Sequence, residues 1–129
     1  FIPIQKAASF ALSHPEITEE TAKKYSRRHE LLVQILQGCG FEVEKPKGSF
    51  YLYAEAPIGV AGGPTFQTAE EFSQYLIREH LISTVPWDDA GSFIRFSVTF
   101  EADSEEEELQ VMKEIERRLK GEKFIFKRR

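Results

Sequence analysis

The stretch GSFIRFSVTF, Gly91 to Phe100, decides how the rest of the chain is read. Ile94, Phe96, Val98 and Phe100 share one face of a strand, and Phe93, Arg95, Ser97 and Thr99 share the other, because successive side chains in a strand point to opposite sides. The first face suits a core. The second carries a guanidinium at its centre, beside a phenylalanine and small hydroxyls. Two readings of Arg95 follow. It is one half of a structural ion pair at the sheet surface, or it anchors a ligand carboxylate, whose oxygens match the planar fork of the guanidinium. A mid-strand position holds such a group rigid, and the small Ser97 beside it leaves room for a ligand.

Upstream of this strand, LISTV reads as a short strand and PWDDAG as a turn. Thr68 and Glu71 have capping-box spacing and open a helix whose inner face is Phe72, Tyr75, Leu76 and Leu81. PIGVAGGPT, from Pro57 to Thr65, is a flexible surface loop; its glycines lack the Gly-Lys-Ser/Thr of a phosphate cradle. FEVEKPKGSFYLYAEA gives two extended runs joined at KPKG, with Phe50, Leu52 and Ala54 alternating against Ser49, Tyr51 and Tyr53. Earlier still, Ala22, Tyr25, His29, Leu32 and Leu36 form one helical stripe, announced by the capping-box spacing of SHPE and ended by Gly38 and Gly40. IPIQKAASFALSH is a further helix with Pro3 at its start.

Downstream, DSEEEE sets negative charge at a helix N-terminus, ERRLKG sets positive charge at the opposite end, and Leu109, Met112, Ile115 and Leu119 face inward. The charge runs themselves read as solvated faces. The order helix, helix, two strands, helix, two strands, helix predicts an α/β (α+β) two-layer sandwich: a short mixed sheet with helices on one face and the other face free. The expected organisation is a single domain over 1–129, with an opening helix at 1–15, a small domain at 16–120 and a basic tail at 121–129.

The 129 residues are 41% hydrophobic and 29% charged, an ordinary balance for a globular domain with its own core. A net charge of −4 argues against nucleic-acid binding, which needs a basic stripe, although SFYLY alternates aromatics as a stacking sheet does. No apolar run approaches the roughly 20 residues that cross a bilayer, so no membrane partner is expected. The single cysteine, Cys39, fits a reducing compartment and reads as a small buried filler. His14, His29 and His80 show no metal-ligand spacing, so no metal is expected. There is no Gly-x-Ser-x-Gly elbow. Opening on Phe1 in helix-like sequence, the chain reads as part of a longer polypeptide.

KYSRRHELLVQILQGCGFEVEKPKGSFYLY, FSQYLIREHLISTVP and SFIRFSVTF, in that order, resemble the C-terminal part of class I/II, fold type I aminotransferases that use pyridoxal 5'-phosphate. The resemblance spans nearly all of residues 1–120. It implies that Arg95 grips the substrate α-carboxylate and that Phe50, in GSFY, lies near the substrate side chain. It also implies amino-acid and 2-oxo-acid substrates, a large cofactor domain in the same chain, a homodimer and a cytoplasmic location. PWDDAG departs from the family's Pro-Gly-x-x-Phe-Gly, with Trp87 in place of the glycine. Trp87 is therefore expected to cap the pocket, and Asp88 or Asp89 to meet a distal ammonium.

A transaminase needs a lysine that forms a Schiff base with its cofactor. Lys6, Lys23 and Lys24 lie on helix patterns, and Lys45 and Lys47 flank a turn, so none matches that role. The cofactor is expected in the longer enzyme and not on this chain, and no catalytic residue is expected in it. The competing expectations are a free-standing, non-catalytic small-molecule-binding α/β domain and a fold type I enzyme of another reaction type.

Overall fold

A computed structural model describes residues 1–127. The elements in chain order are α1 (Ile2–Leu12), α2 (Pro15–Gly38), β1 (Tyr51–Glu55), β2 (Gly59–Val60), α3 (Ala69–His80), β3 (Val85–Trp87), β4 (Phe93–Ser97), α4 (Glu105–Leu119) and β5 (Phe124–Ile125). Strand β4 is the centre of a three-stranded sheet ordered β1-β4-β3. Both of its ladders are antiparallel, so the sheet is not the mixed one expected. The alternation in GSFIRFSVTF holds: Ile94, Phe96 and Val98 are buried while Ser97 and Thr99 are exposed.

The buried face of the sheet, Leu52 and Ala54 with Ile94 and Phe96, packs against Leu32 and Leu36 of α2, Phe72 and Leu76 of α3, and Met112 and Leu119 of α4. All helices that contribute to this core lie on that side; α1 buries no residue at all. The two-layer arrangement is thus as expected, and the opposite face of the sheet is left open.

Several local expectations fail for identifiable reasons. SHPE forms no capping box: Ser13 Oγ donates back to Ser9 O at 2.9 Å, and α2 starts at Pro15 after His14 with no side-chain cap. Residues 41–46 join no ladder and form no regular element, although Phe41 and Val43 are buried. The third strand begins at Val85 rather than at Leu81. Leu81 caps α3 in the left-handed region (φ 54°), which turns its side chain out to 72% exposure instead of inward. In α4 the inward stripe is Glu108, Met112, Ile115 and Leu119, so a glutamate occupies the place given to Leu109. The cap at Thr68 does form, with the return bond of the box taken one residue earlier, at Gln67. Thr68 Oγ1 accepts from Glu71 N at 3.2 Å, and the Glu71 carboxylate reaches back to Gln67 N at 2.6 Å.

The glycine-rich loop is not loose. Gly59 and Val60 pair with Ile125 and Phe124, so residues read as a basic tail supply a strand. A Cβ on Gly59 would meet Pro64 O at 2.9 Å, which is why a glycine stands where the loop folds back on itself.

One charge cluster is buried in the helical layer. Glu108 receives Arg28 Nε at 2.8 Å and Arg27 Nε at 2.7 Å, while Arg28 Nη1 donates to Val98 O and Phe100 O at 2.9 and 2.7 Å. Burial alone would push the Glu108 carboxyl up. The hydrogen bonds from Arg27 and Arg28 and their charges together outweigh it and hold the group below its ordinary value of 4.5. The charge run of α4 is therefore not wholly a solvated face.

Candidate substrate-carboxylate site

Arg95 stands at the middle of the open face, with Tyr53 of β1 and Val85 of β3 as its cross-strand partners. Its guanidinium carbon lies 4.1 Å from the Tyr51 ring centroid and 5.9 Å from that of Trp87, so aromatic faces hold the cation by attraction to their π systems. Nε is buried with no hydrogen-bond partner. Among the described residues no carboxylate pairs with Arg95. The structural ion pair that the sequence left open is thus not formed among the described residues. A fixed guanidinium with unused donors is the arrangement that a carboxylate ligand completes, because buried donors cost free energy until they are paired.

Phe50 keeps the helix-side parity of Leu52 and Ala54, and its carbonyl accepts from Val98 N at 3.0 Å. It lies at the end of the sheet, however, and stays 39% exposed. Its ring centroid is 4.7 Å from that of Tyr51 and 5.8 Å from that of Tyr25. The residue before it, Ser49, has φ 71°, a left-handed backbone uncommon for a non-glycine. His29 Nε2–H donates to Ser49 O at 3.3 Å and braces this turn. Burial pushes the His29 imidazole below its ordinary 6.5 and the nearby Lys45 adds to the effect, against the opposing hydrogen bond to Ser49 O; the ring is neutral at neutral pH. A groove of about 890 Å³ between α2 and the 45–49 turn has Phe50 and Tyr25 in its wall.

Trp87, 41% exposed, meets the Tyr53 ring edge-on with centroids 6.2 Å apart. Asp88 does not face the open sheet as a free carboxylate. Its Oδ1 accepts from Ala69 N at 2.7 Å and its Oδ2 from Glu70 N at 3.2 Å, so both oxygens serve the start of α3. Asp89 is exposed in the turn.

The structure brings Arg95 and Trp87 together with Tyr51 and Tyr53, leaves Phe50 on the other parity with only its ring contact to Tyr51 leading towards them, and assigns Asp88 elsewhere. Tyr51 and Tyr53 were missed as part of the site. The alternation in SFYLY placed both on the face opposite Leu52, and an antiparallel pairing with the Arg95 strand would have identified that face as the one carrying Arg95. Every lysine is exposed. Among the described residues no group of His, Cys, Asp and Glu suits a metal ion.

The profile of the family described as Aminotransferase class I and II matches residues 2–114. The chain belongs to the class I and II aminotransferases. It is 54% identical over 131 residues to the LL-diaminopimelate aminotransferase of Methanococcus maripaludis, covering 98% of this chain and 32% of that protein. The LL-diaminopimelate aminotransferase of Methanocaldococcus jannaschii is 51% identical over 129 residues, covering 94% of this chain and 31% of that one. Among solved aminotransferase structures, substrate-bound BacF of Bacillus subtilis superposes with a TM-score of 0.69 at 28% identity, over 99% of this chain and 31% of its own. The chain therefore spans about a third of the length of the curated aminotransferases it matches. Of the residues that the sequence singled out, Arg95 lies on the open face with Trp87 beside it.

Proposed function

We propose that this chain binds the α-carboxylate of the amino-acid and 2-oxo-acid substrates of an aminotransferase, with Arg95 as the anchor. The observation that carries the reading is the unpaired, aromatic-shelved fork of Arg95 on an otherwise uncovered sheet face. Phe50 and Trp87 flank the substrate side chain in this reading. Family membership implies pyridoxal phosphate, which supplies an electron sink for the Cα bonds when bound. The chain spans about a third of its relatives' length, so a larger cofactor-binding part of the same polypeptide belongs to the proposal, as do a homodimer and a cytoplasmic setting.

The substrate proposed is LL-diaminopimelate, on the strength of the two relatives that carry that name and share about half of this sequence. Its second ammonium leaves a role for an acidic side chain away from Arg95. With Asp88 engaged at α3, the free acidic candidate in the turn is Asp89.

Arg95→Ala in the longer enzyme tests the anchor. Loss of a paired, desolvated guanidinium is expected to cost on the order of 10²- to 10³-fold in kcat/KM for the amino acid. Arg95→Lys should recover only part of it, since a point charge does not reproduce the fork. An unchanged kcat/KM in Arg95→Ala refutes the role. Carboxylate binding through Arg95 in a polypeptide that performs no transamination points instead to the non-catalytic binding domain.

A further inference from the structure

The turn between β3 and β4 is pinned at both ends. At its far end Gly91 (φ 116°) lies so close to Phe93 that a Cβ there would meet the ring at 2.7 Å. At its near end Asp88 spans to a different element: its carboxylate bridges the first amides of α3, Ala69 N and Glu70 N. Those amides are among the four that a helix start leaves without internal partners, and the positive pole there favours a carboxylate. Thr68 satisfies the next one, Glu71 N. Helix α3 is thus capped twice, once by its own residue and once by a residue from the sheet.

The residue immediately before Asp88 is Trp87, the last of β3, 5.9 Å from the Arg95 guanidinium and edge-on to Tyr53. Short edge strands are weakly held by their own ladder, and β3 contributes only Val85, Pro86 and Trp87. Pro86 has no amide hydrogen to donate. We infer that Asp88 is a positioning residue: its bond to the start of α3 aims the Trp87 ring at the Arg95 face and so sets the wall of the substrate site. This rests on the reading of Arg95 as the carboxylate anchor.

Trp87 is the single tryptophan of these 129 residues, so in the longer polypeptide, with any tryptophan elsewhere replaced by phenylalanine, the fluorescence reports its surroundings. Steady-state emission and acrylamide quenching are read in Asp88→Ala, Asp88→Asn and Thr68→Ala, with thermal melts followed by circular dichroism. Trp87 is 41% exposed, so its release in Asp88→Ala should raise the quenching constant by up to about two-fold and shift emission to the red. Asp88→Asn keeps an acceptor for Ala69 N and should stay nearer the starting protein. Thr68→Ala removes a cap from the same helix, lowers the melting temperature, and should leave Trp87 emission where it was.

Unchanged quenching in Asp88→Ala overturns the inference, as does an equal change in Thr68→Ala, or an asparagine variant as exposed as the alanine one. Where Asp88→Ala folds too poorly to measure, Asp88→Ser decides by the same readings, because serine suits the turn but cannot bridge both amides. The fluorescence is read without substrate, so failure here leaves the Arg95 anchor standing. Failure of the anchor is read separately, from the kcat/KM of Arg95→Ala.

Discussion

Arg28 and Arg95 occupy the two sides of the same sheet, and each guanidinium carbon lies 4.1 Å from an aromatic ring, Phe100 for one and Tyr51 for the other. Arg28 is 1% exposed and spends Nε and Nη1 inside the domain, on Glu108 and the carbonyls of Val98 and Phe100, with Nη2 alone left over. Arg95 has the same kind of shelf and none of those partners. The contrast separates an arginine that completes a fold from one whose completion comes from outside. Burial and an aromatic neighbour do not distinguish them; the fate of the fork does.

The largest effect that would sharpen the contrast is on stability. Arg28→Ala leaves the buried Glu108 carboxylate with Arg27 as its remaining guanidinium partner and takes the donor from two carbonyls, and should lower the unfolding free energy in urea by about 3 kcal/mol. A loss below about 1 kcal/mol would remove the distinction between the two arginines.

Glu108→Gln tests the same cluster by pH. The Glu108 carboxyl is held below 4.5 in the folded chain, so its contribution is present above that value and is lost as pH falls through the lowered folded one. Melting temperature followed downward from pH 5 should therefore fall less steeply in Glu108→Gln than in the parent, from a lower starting point. Parallel acid limbs would show that Glu108 is not the group responsible.

Arg95→Ala should change the stability of the chain by less than about 1 kcal/mol, because no partner is left behind. A large loss in a urea titration would reveal an internal role for Arg95 and break the comparison from the other side. The smallest effect is expected at Glu114. Arg117 and Arg118 bring its carboxyl down to about 2 by hydrogen bonds, yet the cluster is solvent-screened on the outer face of α4. Glu114→Gln should leave the thermal melt unchanged.

How far these features were legible in the sequence depends on the distance over which each is decided. The face on which Arg95 lies was readable, because period-two alternation is local and strand β4 obeys it from Phe93 to Ser97. The cap at Thr68 was readable for the same reason, three residues separating its partners. The Arg28–Glu108 pair was not. Its residues are 80 apart, and an inward glutamate on the α4 stripe looks like an error until a buried cation is known to face it. Asp88 was read as a free carboxylate because nothing near it in sequence reveals the α3 amides, some 19 residues earlier, that occupy it. Leu81 was placed inward by helical periodicity, which stops applying once the backbone turns left-handed. The two-layer architecture survived these errors because it follows from which faces are apolar and not from where each element starts.

The short ladder between β2 and β5 has a practical consequence. Phe124 and Phe126 lie edge-on to Phe41, with ring centroids 5.4 and 5.0 Å away. The stretch that follows α4 therefore serves as a plug over the aromatic cluster. Trimming residues 121–127 to make a shorter expression product would uncork the core and leave Phe41 wet.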